Sequence, residues 1–277
     1  MRLYGNKNYS CGVKSLSNKA RKYAVNKWTR EELIIAFNLY CKIPFGKIHI
    51  HNPEIIALAK VLDRTPSAVS WKLANFASLD PSLKKRNIVG ASHGSKMDTD
   101  VWNEFNGDWG RLAFESEKLL AQKMGRQIED VSGMELLDLP RTGIERETLV
   151  KIRVNQSFFR KSVLAAYNFQ CCITGLEIPE LLNASHIIPW SKDEDNRVNP
   201  RNGLCLNAIH DRAFDRGLLT ITQDFTVMVS TSVKQGSKNN AVQDFLLRYD
   251  GLEINRPTRF LPDLKFLKYH NSNVFRA

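Results

Sequence analysis

The chain has 277 residues, of which 43% are hydrophobic, so one large domain or two ordinary ones can bury a normal core and wholesale disorder is excluded. Forty Lys and Arg against twenty-nine Asp and Glu leave a net charge of +11, an excess that suits a polyanionic partner, with nucleic acid first among these. No stretch approaches the ~18 consecutive apolar residues that a membrane span needs, the N-terminus lacks the apolar run of a signal peptide, and the five cysteines form no C-x-x-C pair. These features lead us to expect a cytoplasmic protein with free thiols and no membrane partner.

Residues 1–27 are polar and basic and read as an arm, either lying on phosphates or simply solvated. Residues 28–98 hold three expected helices. Thr29 and Glu32 make a capping box, followed by a Leu33, Phe37, Tyr40 stripe. Asn52-Pro53 and Thr65-Pro66 each pair a cap with a proline at the first helical position. The short connection at Asp63-Arg64 suggests a helix-turn-helix, in which the last helix enters the major groove. Its outward residues would be Ser67, Ser70, Trp71, Lys72 and Asn75, whose side chains include good donors and acceptors for base edges. A small bundle used for protein contacts fits the same spacing. His49 and His51 have no evident third ligand and read as loop or edge residues. Residues 99–150 read as a helical linker that ends in an acidic, turn-rich boundary.

The chemistry lies in residues 151–277. QSFFRKSVLAAYNFQ has helical spacing, CCITG ends in a glycine turn, and NASHIIPW is a strand-like run holding His186. A polar loop precedes NGLCLN, a second strand-like run that begins at Asn202. IHDRAFDRG then reads as a helix carrying His210 and ended by Gly217. Phosphodiester cleavage needs a base for water and positive charge at the phosphate, and a strand end facing a helix can hold both. Imidazole suits either task, since its pKa lies near neutrality and its neutral form binds metals.

Taken in order, C-x-x-T-G, A-x-H-I-I-P-W, N-G-L-x-L and H-D-x-x-F-D-x-G resemble the HNH endonuclease family of the ββα-metal fold, in its restriction-enzyme-like branch. The resemblance covers about residues 151–277 and includes the closing LKYHNSNVF. It implies an α+β protein, with a helix-turn-helix-like domain followed by an HNH nuclease domain. It further implies His186 as general base, Asn202 as the residue that ties the loop and orients the base, and His210 as metal ligand. The implied cofactor is a divalent metal, Mg²⁺ first, with Mn²⁺ or Ni²⁺ as substitutes. The implied substrate is double-stranded DNA, cut to 5′-phosphate and 3′-hydroxyl ends, and restriction of foreign DNA is the implied role. Each centre cuts one strand, so a homodimer on DNA is expected.

On charge grounds Arg212 and Arg216 join the site as phosphate contacts. Two positions depart from the commoner pattern. Ser185 stands where many relatives carry Asp or His, leaving its hydroxyl as the expected second ligand. Phe214 stands where many carry a second His and reads as core. Asp215 is a weaker ligand candidate, about 140° round the helix from His210. A modification-dependent or homing-type nuclease, or a DNA-binding regulator with an inactive nuclease half, remain the alternatives.

Overall fold

In the computed structural model the described residues are 27–84, 94–132, 144–236 and 239–277. All but the last residue of the expected basic arm lies outside them.

The N-terminal half is helical: α1 (Arg30–Lys42), α2 (Pro53–Val61), α3 (Pro66–Leu79), α4 (Pro81–Lys84), α5 (Lys96–Phe105), α6 (Trp109–Met124), α7 (Ile128–Ser132) and α8 (Ile144–Ala166). The caps form where expected. Thr29 and Glu32 bond each other's backbone N–H, while Asn52 and Thr65 cap the proline-led α2 and α3. α1 is buried nearly all round, with Leu33, Ile34, Phe37, Tyr40 and Cys41 inaccessible, and packs on α3, α5, α6 and α8. Such a helix has no solvent face to keep polar, which explains its run of apolar residues.

Two expectations need correction here. Residues 99–150 are not a linker between separate bodies. The Trp102 ring packs tilted against Phe37, centroids 4.9 Å apart, while Trp109 meets Phe158 of α8 and Phe260 from near the C-terminus, so one aromatic core joins the two halves. α8 itself runs straight through the expected boundary at residue 150. On α3, Lys72 and Asn75 do not face outward. Lys72 Nζ pairs with Asp98 of α5 at 2.8 Å, and Asn75 Nδ2 donates to the same carboxylate at 3.1 Å, all three buried. The apolar stripe of α3 marks one covered face, but α5 covers a second through polar contacts that hydrophobic spacing does not register. Ser67 and Trp71 stay exposed and Ser70 is half-buried.

A further tie comes from Arg259, fully buried, whose guanidinium donates to the carbonyls of Tyr40, Cys41 and Ile43 at the end of α1. Carbonyls in a last helical turn lack intrahelical partners, and a guanidinium supplies several donors at once.

The C-terminal half holds β1 (Leu182–His186) and β2 (Gly203–Asn207), paired antiparallel with His186 opposite Gly203, then α9 (Ala208–Asp215). A second antiparallel pair, β3 (Leu219–Ile221) and β4 (Val227–Val229), precedes α10 (Thr231–Gly236), α11 (Asn240–Phe245) and α12 (Leu264–Asn273). The fold therefore mixes many helices with two small sheets. α8 packs across β1 and β2, and α9 also contacts both strands. Gly203 is required for this, since a Cβ there would stand 2.4 Å from Val163 and 3.0 Å from Phe159 of α8. Gly217, at φ +68°, ends α9; a Cβ would stand 2.1 Å from the Val274 carbonyl oxygen. The LKYHNSNVF segment is the docking of α12 behind α9. His270 stacks on Phe214 at 3.7 Å, its Nε2 donates to the Phe214 carbonyl, and its Nδ1 meets the Thr220 hydroxyl at 2.7 Å. Phe214 is accordingly core, as expected.

Candidate active site

The loop between β1 and β2 is long and polar, yet it is tied at many points. Asn202 is inaccessible to solvent. Its Oδ1 accepts from Ile188 N at 2.8 Å, and its Nδ2 donates to the carbonyls of Ile188 and Asn196, each at 3.2 Å. Within the loop, Asn196 bonds Asp193, Asn199 bonds Asn196, and Arg197 Nε donates to the Trp190 carbonyl. A side chain that satisfies three buried backbone groups fixes the loop ends as firmly as a strand pair would.

That loop orients His186 at the end of β1. The Arg197 carbonyl lies 2.9 Å from His186 Nε2. A carbonyl only accepts, so Nε2 carries the hydrogen and Nδ1 keeps its lone pair. The ring is sandwiched, stacking on Phe159 at 3.9 Å and meeting Trp190 edge-on at 5.5 Å. Burial holds the His186 pKa below its ordinary value, opposed by the Arg197 carbonyl. The imidazole is thus neutral near pH 7, with one uncommitted nitrogen.

His186 lines a cleft of ≈ 370 Å³ together with Gln156, Arg160, Asn183, Trp190 and Asp211. The carboxylate of Asp211 is held by two donors from β1, Asn183 Nδ2 at 2.8 Å and the Ser185 hydroxyl. Asn183 and Ser185 are two residues apart and so share a strand face. Ser185 is therefore spoken for by Asp211, and its buried hydroxyl serves the carboxylate. Asp215, one turn on, has its pKa raised by burial and by the Asp211 charge. Arg160 anchors one guanidinium nitrogen on the Leu182 carbonyl at 2.8 Å while lining the cleft.

His210 is not among the cleft residues. It is 2% exposed and lines a different cavity, of ≈ 720 Å³, with Phe245 and Tyr249. Asn207 caps α9 by accepting at Oδ1 from Ile209 N and His210 N, which turns its Nδ2 toward His210 Nδ1 at 3.0 Å. His210 Nε2 lies 2.7 Å from the Phe245 carbonyl and must donate to it. Both ring nitrogens are thus engaged within the protein, and the structure does not bring His210 to His186. Adjacent residues on a helix diverge by about 100°, so turning Asp211 into the cleft turns His210 out of it.

The remaining expected residues divide as follows. Arg212 on α9 and Arg216 at its C-cap are exposed, whereas Ser67, Ser70, Trp71, Lys72 and Asn75 belong to α3 and do not line the cleft. His49 and His51 are exposed, with ring centroids 6.3 Å apart. Cys41, Cys171, Cys172 and Cys205 are buried free thiols. Burial pushes the Cys205 thiol up to about 12. Sequence reasoning missed Gln156, Arg160, Asn183 and Asp211. The period-2 spacing of Asn183 and Ser185, and the four-residue spacing of Gln156 and Arg160 beside buried Phe158 and Phe159, were the available signals.

Two short antiparallel strands, a tied loop carrying His and Asn, and a helix packed on both strands form a ββα unit. Residues 171–222, from the turn before β1 to just past β3, match the model of the HNH endonuclease family, so this segment is similar to an HNH endonuclease domain. No curated protein matches the chain. No helix among the described residues is long and apolar enough to cross a membrane.

Proposed function

We propose that the protein is a metal-dependent DNA endonuclease that restricts foreign DNA, with His186 as general base and Asp211 as the protein ligand for the cation. The observation that carries this reading is the shared cleft. It joins a neutral imidazole with a free nitrogen, a carboxylate and an unspent guanidinium edge in one opening.

The donor set fits a hard divalent cation. Asp211 offers carboxylate oxygen, and among the described residues no group of three or more His, Cys, Asp and Glu comes together to enclose a metal. Mg²⁺ tolerates so sparse a site, because it keeps several waters and leans on substrate phosphate. When bound, the cation supplies positive charge to the phosphate and the leaving oxygen. Mn²⁺ or Ni²⁺ would substitute.

His186 Nδ1 takes a proton from water as its oxygen attacks phosphorus. The bond from phosphorus to the 3′-oxygen breaks and that oxygen takes a proton from solvent water, giving 5′-phosphate and 3′-hydroxyl ends. Phe159, Trp190 and the Arg197 carbonyl keep the ring in the base tautomer, and Asn202 keeps that carbonyl in place through Asn196. Arg160 faces the phosphate oxygens, where a planar guanidinium is well suited. A dimer on DNA would give double-strand breaks, one centre per strand.

The test is incubation of plasmid DNA with wild type and His186→Ala, with Mg²⁺ or with chelator. Metal-dependent cutting by wild type alone, with DNA binding retained in His186→Ala, is the expected outcome. Equal cutting by both proteins would remove His186 as the base.

A further inference from the structure

We propose a second phosphate-binding site, at the seam between the two halves, that grips the DNA backbone beside the scissile position through Arg201 and Arg256. This rests on the endonuclease reading above and adds the place where the strand is held.

Ser82 of α4, Arg201, Arg256 and Thr258 line a cavity of ≈ 470 Å³. α4 belongs to the helical half, Arg201 directly precedes Asn202, and Arg256 lies in the segment leading to Arg259. The backbone that carries both arginines is pinned. Asp263 N donates to the Arg201 carbonyl at 3.2 Å. Asn255 N donates to the Cys172 carbonyl and Thr258 N to the Ala166 carbonyl, each at 2.8 Å. The buried Arg259 fastens the same segment to α1.

The charged heads, by contrast, are about half exposed, at 51% and 52%. Each has one carboxylate neighbour, Asp263 for Arg201 and Glu253 for Arg256, at 3.5 Å. Exposed pairs of this kind contribute between about 0 and 1 kcal/mol, so they do not hold the guanidiniums against a phosphate. The Arg256 guanidinium also lies over the Phe225 ring, 4.8 Å from its centroid, which leaves its N–H edges for a ligand in its own plane.

Fixed roots with free heads are what a phosphate clamp requires, because little ordering entropy is left to lose on binding. A planar guanidinium also pairs with phosphate oxygens through two parallel N–H bonds. The location points to the substrate's own backbone. Arg201 stands two residues before Gly203, the cross-strand partner of His186. The two Cα atoms are therefore within about 13 Å, a cross-strand step plus two residues of chain. That span covers about two phosphate steps along one strand.

The experiment measures binding of labelled duplex DNA by fluorescence anisotropy across a salt series, using His186→Ala protein so that the DNA stays intact. In that background, Arg201→Gln with Arg256→Gln is compared with Lys118→Gln with Lys123→Gln, two exposed charges removed from α6. Each lost phosphate contact lowers the slope of log K against log salt by about 0.9. The arginine pair should lower it by about 1.8 and Arg201→Gln alone by about 0.9, while the lysine pair leaves it unchanged. An unchanged slope in the arginine variants, or an equal fall in the lysine control, overturns the clamp while the nuclease reading stands. Absence of DNA binding by the parent, together with absence of cutting by wild type, overturns both.

Discussion

The sharpest test separates two neighbours on α9, Asp211 and His210. Asp211→Asn keeps the size and an oxygen acceptor for Ser185, but removes the charge that lines the cleft. Its fold should survive with a small change in Tm. If Asp211 holds the cation, metal-dependent cleavage should fall by about 10²–10³-fold, the range seen when one preorganised electrostatic group is lost from an active site.

His210→Ala does the opposite. It strips the Phe245 carbonyl and Asn207 Nδ2 of a buried partner and opens a space beside Tyr249. Two lost hydrogen bonds at about 1 kcal/mol each, with the packing of a buried ring lost at about 1–2 kcal/mol, destabilise the fold by roughly 3–4 kcal/mol. At about 2–4 °C per kcal/mol for a chain of this size, Tm drops by about 10 °C. Well below that Tm, cleavage should retain its dependence on metal concentration. The assays are thermal melts, titration of metal binding by calorimetry in the presence of DNA, and plasmid nicking. Wild-type metal affinity and cutting in Asp211→Asn, beside lost metal affinity in a folded His210→Ala, would refute the assignment.

Other outcomes follow from the same geometry. Asn202→Ala leaves Ile188 N–H buried without its acceptor and cuts two further bonds, costing roughly 3 kcal/mol and freeing the loop that aims His186, so urea melts and nicking rates should fall together. Gly203→Val should cost stability and cutting, because its side chain invades the space of Val163 and Phe159, on which His186 stacks; wild-type rates would contradict this packing. Burial lowers the His270 pKa to about 4 against an ordinary 6.5, so the unfolded chain takes up the proton first. Its contribution, on the order of 3 kcal/mol, is complete above pH 6.5 and is lost as pH falls from 6.5 toward 4; urea melts at pH 7.5 and 4.5 should show this, with a shallower dependence in His270→Gln. Cutting should likewise persist somewhat below pH 6.5 before falling, because the depressed pKa keeps His186 neutral there. A pH–rate profile that collapses already above pH 7 would contradict this.

Much of the fold was legible in local chemistry. Thr29 with Glu32, Asn52-Pro53 and Thr65-Pro66 announce their helices because caps and prolines act within one turn of chain. The order of NASHIIPW, NGLCLN and HDRAFDRG likewise announced two strands and a helix, with His186 and Asn202 at the strand ends. These signals are local, so a single sequence carries them whole.

Which side chains meet was decided in three dimensions. Lys72 and Asn75 look like surface residues until α5 brings Asp98 over them. His210 looks like a ligand until α11 offers it the Phe245 carbonyl, and Asp211 becomes a cleft residue only because Asn183 and Ser185 of β1 grip it. Arg201 and Arg256 come to one groove through contacts with α8 and α1. Helix phase says only that neighbours point about 100° apart. Which direction is core, cleft or solvent depends on partners distant in sequence, and those are set by the packing of α8 and α12 about the two strands and α9.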